Sequence, residues 1–125
     1  MILADSSIWI DHFRRVNPTL ESLIASGRIL MHPFVVAEVA LGSLAQRRTK
    51  LALMDLLVQV RTADISEVRR MIDAQPLYSR GIGLVDAHLI ASCLITPGVS
   101  LWTRDERLAA AAQFAGVEAT HHSSQ

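Results

Sequence analysis

Apolar and polar positions along the chain follow two rhythms, one of strands and one of helices. Ile2-Leu3-Ala4 is a short apolar run that stops at Asp5-Ser6-Ser7. Beyond it Trp9, Phe13 and Val16 recur at helical spacing, with Ile8 beside them. A strand that runs into a helix leaves Asp5 and the two serines at the carboxyl edge of a sheet, where open α/β folds place their ligands. Pro18 suits the first turn of a second helix reaching about Ser26, and Gly27 suits its end. Arg28 to Met31 predicts a second strand, and Pro33 opens a helix through Val35, Val36, Val39 and Ala40 to Gly42. Arg47 to Leu57 predicts a solvated helix, and Leu57 to Val60 a third strand. Asp64-Ile65-Ser66-Glu67 has the form of a capping box, so another helix starts there and ends near Pro76. Residues 78–83 predict a turn. Leu84 to Ile95 is then apolar on nearly every side except at Asp86, His88 and Ser92, the mark of a buried helix. Val99 to Trp102 predicts a strand, Asp105 to Phe114 an alanine-rich helix and Val117 to Ala119 a last strand, with a frayed tail from Thr120 onward. Strands alternating with helices predict a parallel α/β sheet.

A length of 125 residues fits one domain spanning residues 1–125. A chain of this size builds a core without disulfides or a structural metal, so a metal, if bound, serves chemistry. Cys93 is the single cysteine and reads as a small core residue, and no secretory signal opens the chain, which makes a cytoplasmic protein the expectation. No apolar run approaches the roughly 18 residues that span a bilayer. Twelve basic residues balance twelve acidic ones, so the total charge names no partner. The basic side is nonetheless lopsided: Lys50 is its one lysine among eleven arginines, and the planar guanidinium suits phosphate. A genomic bias toward arginine and alanine accounts for the same excess.

Four carboxylates stand out by position. Asp5 follows the first strand, Glu38 and Asp86 lie within apolar helices, and Asp105 follows Trp102-Thr103 at another strand end. Ionised carboxylates are costly to bury alone, so acids in apolar helices require partners. Arginine supplies one kind of partner; a divalent cation can serve all four. Carboxylates with hydroxyl neighbours and no cysteine or histidine set favour Mg²⁺ or Mn²⁺ over zinc. With these four acids neutralised, twelve basic residues face eight acidic ones, and the edge becomes locally basic. Metals among arginines suit a phosphodiester substrate, with a water activated and the leaving oxygen stabilised.

Four segments carry a resemblance. They are Asp5-Ser6-Ser7-Ile8-Trp9, Val36-Ala37-Glu38-Val39-Ala40-Leu41-Gly42, Gly81-Ile82-Gly83-Leu84-Val85-Asp86-Ala87-His88-Leu89-Ile90-Ala91, and Leu101-Trp102-Thr103-Arg104-Asp105. In this order, over nearly the whole chain, they resemble the PIN-domain ribonucleases, in particular the VapC toxins of type II (VapBC) toxin-antitoxin pairs. The resemblance implies a three-layer αβα fold around a mainly parallel sheet and metal-dependent endonucleolytic cleavage of RNA. It also implies dimerisation and neutralisation by a cognate VapB antitoxin. Carried over by position, Asp5, Glu38, Asp86 and Asp105 are the catalytic, metal-site acids of the resemblance. Ser6, Ser7 and Thr103 match the hydroxyls beside the first and last of them and orient carboxylates or water. Serine stands at position 6, where threonine is also common in the family.

Other readings stand beside these. Asp5 and Asp105 also suit helix N-caps, and Glu38 and Asp86 also suit pairing with buried arginines. Arg80, Arg104 and Arg107 are candidates for RNA phosphates, and equally ordinary surface arginines. None of the five histidines has metal-ligand spacing except the adjacent His121 and His122, and none reads as catalytic. Trp9 and Trp102 suit the core or a dimer interface better than base stacking. A phosphotransfer protein is disfavoured, because Ser7 stands where an aspartyl phosphatase has its second aspartate and Lys50 lies in a solvated stretch. A noncatalytic metal-stabilised binding domain is a further alternative. The mean hydropathy of +0.30 points to exposed apolar surface that a second copy or an antitoxin covers.

Overall fold

In the computed structural model, which describes residues 1–121, four parallel strands form one sheet in the order β2-β1-β3-β4. The strands are β1 (Ile2–Ala4), β2 (Ile29–Leu30), β3 (Ser100–Trp102) and β4 (Ala119–Thr120). Seven helices connect them: α1 (Ser6–Arg14), α2 (Pro18–Ala25), α3 (Pro33–Ala40), α4 (Arg47–Asp55), α5 (Ile65–Ala74), α6 (Leu84–Ile95) and α7 (Glu106–Phe114). The chain steps outward from β1 to β2, then crosses back to β3 and β4. The outward run continues through α3 and α4 to the parallel Met31–Gln59 bridge, so right-handed connections put α1 to α4 on one face and α5 to α7, on the return, on the other, a three-layer α/β fold. In keeping with this, α1 packs on α3 and α3 on α4, α5 packs on α6, and α6 and α7 lie on β3.

Local chemistry sets the boundaries. Asp64 and Glu67 form the reciprocal capping box at α5. Pro18 and Pro33 occupy the first helical positions of α2 and α3, where a missing N–H costs nothing. Gly27, at φ +70°, makes the left-handed turn between α2 and β2. Trp9 and Trp102 are buried with Leu3, Leu89, Ile90 and Leu101 in the main core, so neither is a stacking platform. No helix of the described residues is long and apolar enough to cross a membrane.

Two expectations change. The strand expected over residues 57–60 is reduced to a single parallel bridge between Met31 and Gln59, because the edge exchanges only the Val58 and Met31 carbonyls. Thr120, expected to begin a frayed tail, is the last residue of β4, where its carbonyl accepts from the Thr103 amide. Main-chain pairing needs no apolar side chain, so hydropathy gave no warning of it. Residues 122–125, the rest of that tail and the second histidine of the 121–122 pair lie outside the described residues.

Candidate active site

The carboxyl ends of β1 and β3 lie side by side, with Ala4 in register with Trp102. The segments that follow them, Asp5-Ser6-Ser7 and Thr103-Arg104-Asp105, therefore leave the sheet together. The Asp5 amide donates to the Trp102 carbonyl at 2.9 Å, which extends the ladder by one bond. Asp5 is only 5% exposed and uses both carboxylate oxygens: Oδ1 accepts from Ser7 Oγ (2.5 Å) and the Ile8 amide (3.3 Å), and Oδ2 accepts from Thr103 Oγ1 (2.5 Å). The Ile8 bond makes Asp5 the N-cap of α1, so the capping reading of this residue is realised alongside its place at the edge.

Thr103, fully buried, works in both directions, since its hydroxyl also accepts from the Asp105 amide at 3.0 Å. Ser7 likewise accepts from the Arg104 amide at 3.0 Å. Ser6 turns the other way and donates to Glu38 Oε1 at 2.8 Å, tying α3 to the start of α1. The three hydroxyls expected to orient carboxylates thus each hold one: Ser7 and Thr103 hold Asp5, and Ser6 holds Glu38.

Asp105 is exposed and caps α7 through Oδ1, which accepts from the amides of Arg107 (2.9 Å) and Leu108 (3.4 Å). Asp86 stands in the first turn of α6, half-buried, and its Oδ2 accepts from the Gly83 amide at 3.2 Å. One oxygen each of Glu38, Asp86 and Asp105 accepts no hydrogen bond from the described residues. Among the described residues no arginine pairs with Glu38 or Asp86, so that alternative does not hold there.

The charges report the convergence. Burial pushes the Asp86 carboxyl above its ordinary range, the Gly83 amide offsets part of this, and the negative charges of Asp5, Asp105 and Glu38 push it further up. Acids from three distant segments therefore act on Asp86 at this edge. Burial also raises Asp5, against the opposing pull of Ser7, Thr103 and the Ile8 and Ser7 amides. Three carboxylates that raise a fourth leave unbalanced negative charge around Asp86, which a cation relieves. Among the described residues no three acidic, histidine or cysteine side chains gather tightly enough to enclose a metal by themselves. An all-oxygen donor set that leaves room for water fits Mg²⁺, which keeps part of its hydration shell, better than zinc.

The remaining candidates separate. Arg104 pairs with Asp11 at 2.8 Å, a contact 93 positions apart that sequence spacing does not reveal. Arg80 lies 3.6 Å from the centre of the Phe114 ring and donates Nε–H to the Pro76 carbonyl. His88 points into the core, its ring 4.7 Å from Phe34 and 6.3 Å from His32. His32 caps α3 by accepting from the Phe34 amide, and burial and His88 push it down to about 4. Burial pushes the Cys93 thiol up to about 12, which leaves it unreactive.

A parallel sheet with an acidic carboxyl edge, whose acids come from the ends of two adjacent strands and two helices, defines a class. The PIN-domain family model matches residues 2–113, and the chain belongs to the PIN-domain family. Within it the chain is similar to Ribonuclease VapC32 of Mycobacterium tuberculosis (strain CDC 1551 / Oshkosh), with 42% identity over 117 residues, 94% of each chain. Ribonuclease VapC32 of strain ATCC 25618 / H37Rv matches to the same extent.

Proposed function

We propose that this chain is a VapC-type toxin, an endoribonuclease dependent on Mg²⁺ or Mn²⁺ that hydrolyses RNA phosphodiester bonds at the acidic edge. The observation that carries the reading is that Asp5 and Asp105 follow adjacent strand ends, with Glu38 tied to Ser6 and the charges of all three raising Asp86, in a relative of a named ribonuclease. A bound divalent cation supplies the Lewis acidity that activates water and offsets phosphate charge. Glu38, Asp86 and Asp105, each with one oxygen free of hydrogen bonds among the described residues, would hold such an ion directly or through water. Asp5, with both oxygens already hydrogen-bonded, offers its remaining lone pairs in a fixed direction. Ser6, Ser7 and Thr103 keep Glu38 and Asp5 from rotating as RNA approaches, so the donors meet the substrate already oriented. RNA hydrolysis here needs no covalent enzyme intermediate.

A cognate VapB antitoxin is the regulatory partner in this reading, and a homodimer within a larger toxin-antitoxin complex is the assembly. Leu41 (88% exposed), Leu56 (84%) and Val58 (65%) are apolar surface that partners of this kind cover.

The deciding experiment is cleavage of mixed cellular RNA by partner-free protein with Mg²⁺, with Mn²⁺ and with chelator, beside Asp5→Asn. Asparagine caps a helix as well as aspartate does, so this variant keeps α1 and loses the charge. Cleavage that requires metal and vanishes in the variant supports the proposal. Equal cleavage by folded Asp5→Asn, or cleavage indifferent to chelator, overturns it.

A further inference from the structure

Three arginines border the acidic edge, and their surroundings divide them. The guanidinium of Arg104 is spent on Asp11, and that of Arg80 on the Phe114 ring and the Pro76 carbonyl. Arg107 has neither an ion pair nor a ring among the described residues. It has a seat instead. Its side chain lies across Gly81, so close that a Cβ added there would stand 2.9 Å from Arg107 Cδ and 3.1 Å from Nη1. Gly81 has φ +76°, a left-handed conformation that side chains rarely adopt, so the backbone itself keeps this space clear.

The seat joins two arms of the edge. The Arg107 amide donates to Asp105, and the Gly83 amide, two residues beyond Gly81, donates to Asp86. The Arg107 side chain therefore crosses from the segment that holds Asp105 to the loop that holds Asp86. A guanidinium lying there with no carboxylate on it among the described residues is a cation awaiting an anion. Its planar fork fits two phosphate oxygens.

We infer that Arg107, seated on Gly81, binds a backbone phosphate of the RNA at the acidic edge and so aligns the strand for cleavage. The inference rests on the nuclease reading and adds to it the residue that grips the substrate.

The test measures cleavage kinetics of an RNA fragment that the parent cuts, for Arg107→Ala, Arg107→Lys and Arg28→Ala. Arg28 precedes β2 at the opposite edge of the sheet and controls for loss of one positive charge. Arg107→Ala is expected to raise KM about tenfold with kcat within about threefold, and lysine to restore part of the loss. Arg28→Ala is expected to match the parent. In an Asp5→Asn background, expected to bind RNA without cutting it, Arg107→Ala should lower the salt dependence of RNA binding by about one phosphate contact. Gly81→Ala should reproduce the KM rise while removing no charge. Should it fail to fold, the Arg107 variants decide alone. A parent that cuts RNA while Arg107→Ala equals it in KM and salt dependence overturns this inference only. A parent that neither cuts nor binds RNA overturns the nuclease reading, and the inference with it.

Discussion

Thr103→Val removes one oxygen from a fully buried side chain and leaves its branched shape, so packing is nearly conserved while two hydrogen bonds disappear. The bond to Asp5 has an ionised acceptor and is worth about 1.5–3 kcal/mol; the bond from the Asp105 amide is worth about 1 kcal/mol. A loss of about 3 kcal/mol is expected at pH 8 in chelator. For 125 residues this lowers Tm by roughly 11 °C, taking about 2 cal/mol/K of unfolding entropy per residue. With a urea m-value of about 2 kcal/mol/M the midpoint falls by about 1.5 M. The penalty also carries a pH signature. Thr103 stabilises the charged form of Asp5, so the variant's deficit shrinks as pH falls and Asp5 takes up its proton. Burial already raises the Asp5 carboxyl; without the hydroxyl it rises further, and the acid limb of RNA cleavage moves to higher pH. Urea unfolding across a pH series, with cleavage rates on the same samples, measures both. A deficit below about 0.5 kcal/mol at every pH, with an unmoved acid limb, would refute the view that Thr103 holds Asp5.

Other expectations follow from the same contacts. Because the folded protein raises Asp86, ionising it costs stability as pH rises through its folded range, so Asp86→Asn should raise the chelator Tm above pH 7, read by calorimetry. Added Mg²⁺ or Mn²⁺ should raise the parent's Tm, by about 2.7 kcal/mol of stabilisation at 100 times Kd, and leave Asp86→Asn nearly unmoved. His32 titrates near 4 in the fold against 6.5 free, so the unfolded chain takes the proton first and stability is lost as pH falls from 6.5 to about 4. The full loss is about 3 kcal/mol, and His32→Asn, which keeps a cap on α3, should flatten that slope in urea titrations.

Much of this architecture is legible in the sequence because it is encoded locally. The Asp64–Glu67 box, the prolines opening α2 and α3 and the apolar wheel of α6 each carry their own signal. So do the four acids, through strand-end and apolar-helix positions. What is not legible is pairing across the sheet. Thr103 reaches Asp5 over 98 positions and Arg104 reaches Asp11 over 93, and neither spacing means anything until β1 and β3 are neighbours. The expected helix Leu84 to Ile95 puts Asp86 in its first turn, as the structure does, but nothing along the chain shows its carboxylate accepting from the Gly83 amide. Gly81 reads as a turn glycine, and no pattern along the chain connects it with Arg107.

The hydroxyl that fixes Asp5 has a consequence for synthesis of the chain. Asp5 is translated almost at once and Glu38 soon after, but Thr103 and Asp105 arrive with β3 and α7. A nascent chain that has not yet released those residues from the ribosome carries the early acids without the strand that aligns them. Under the proposed function, a chain that cuts RNA would be made on RNA, and this order of elements would leave its acidic edge unassembled until the message has been read through to β3.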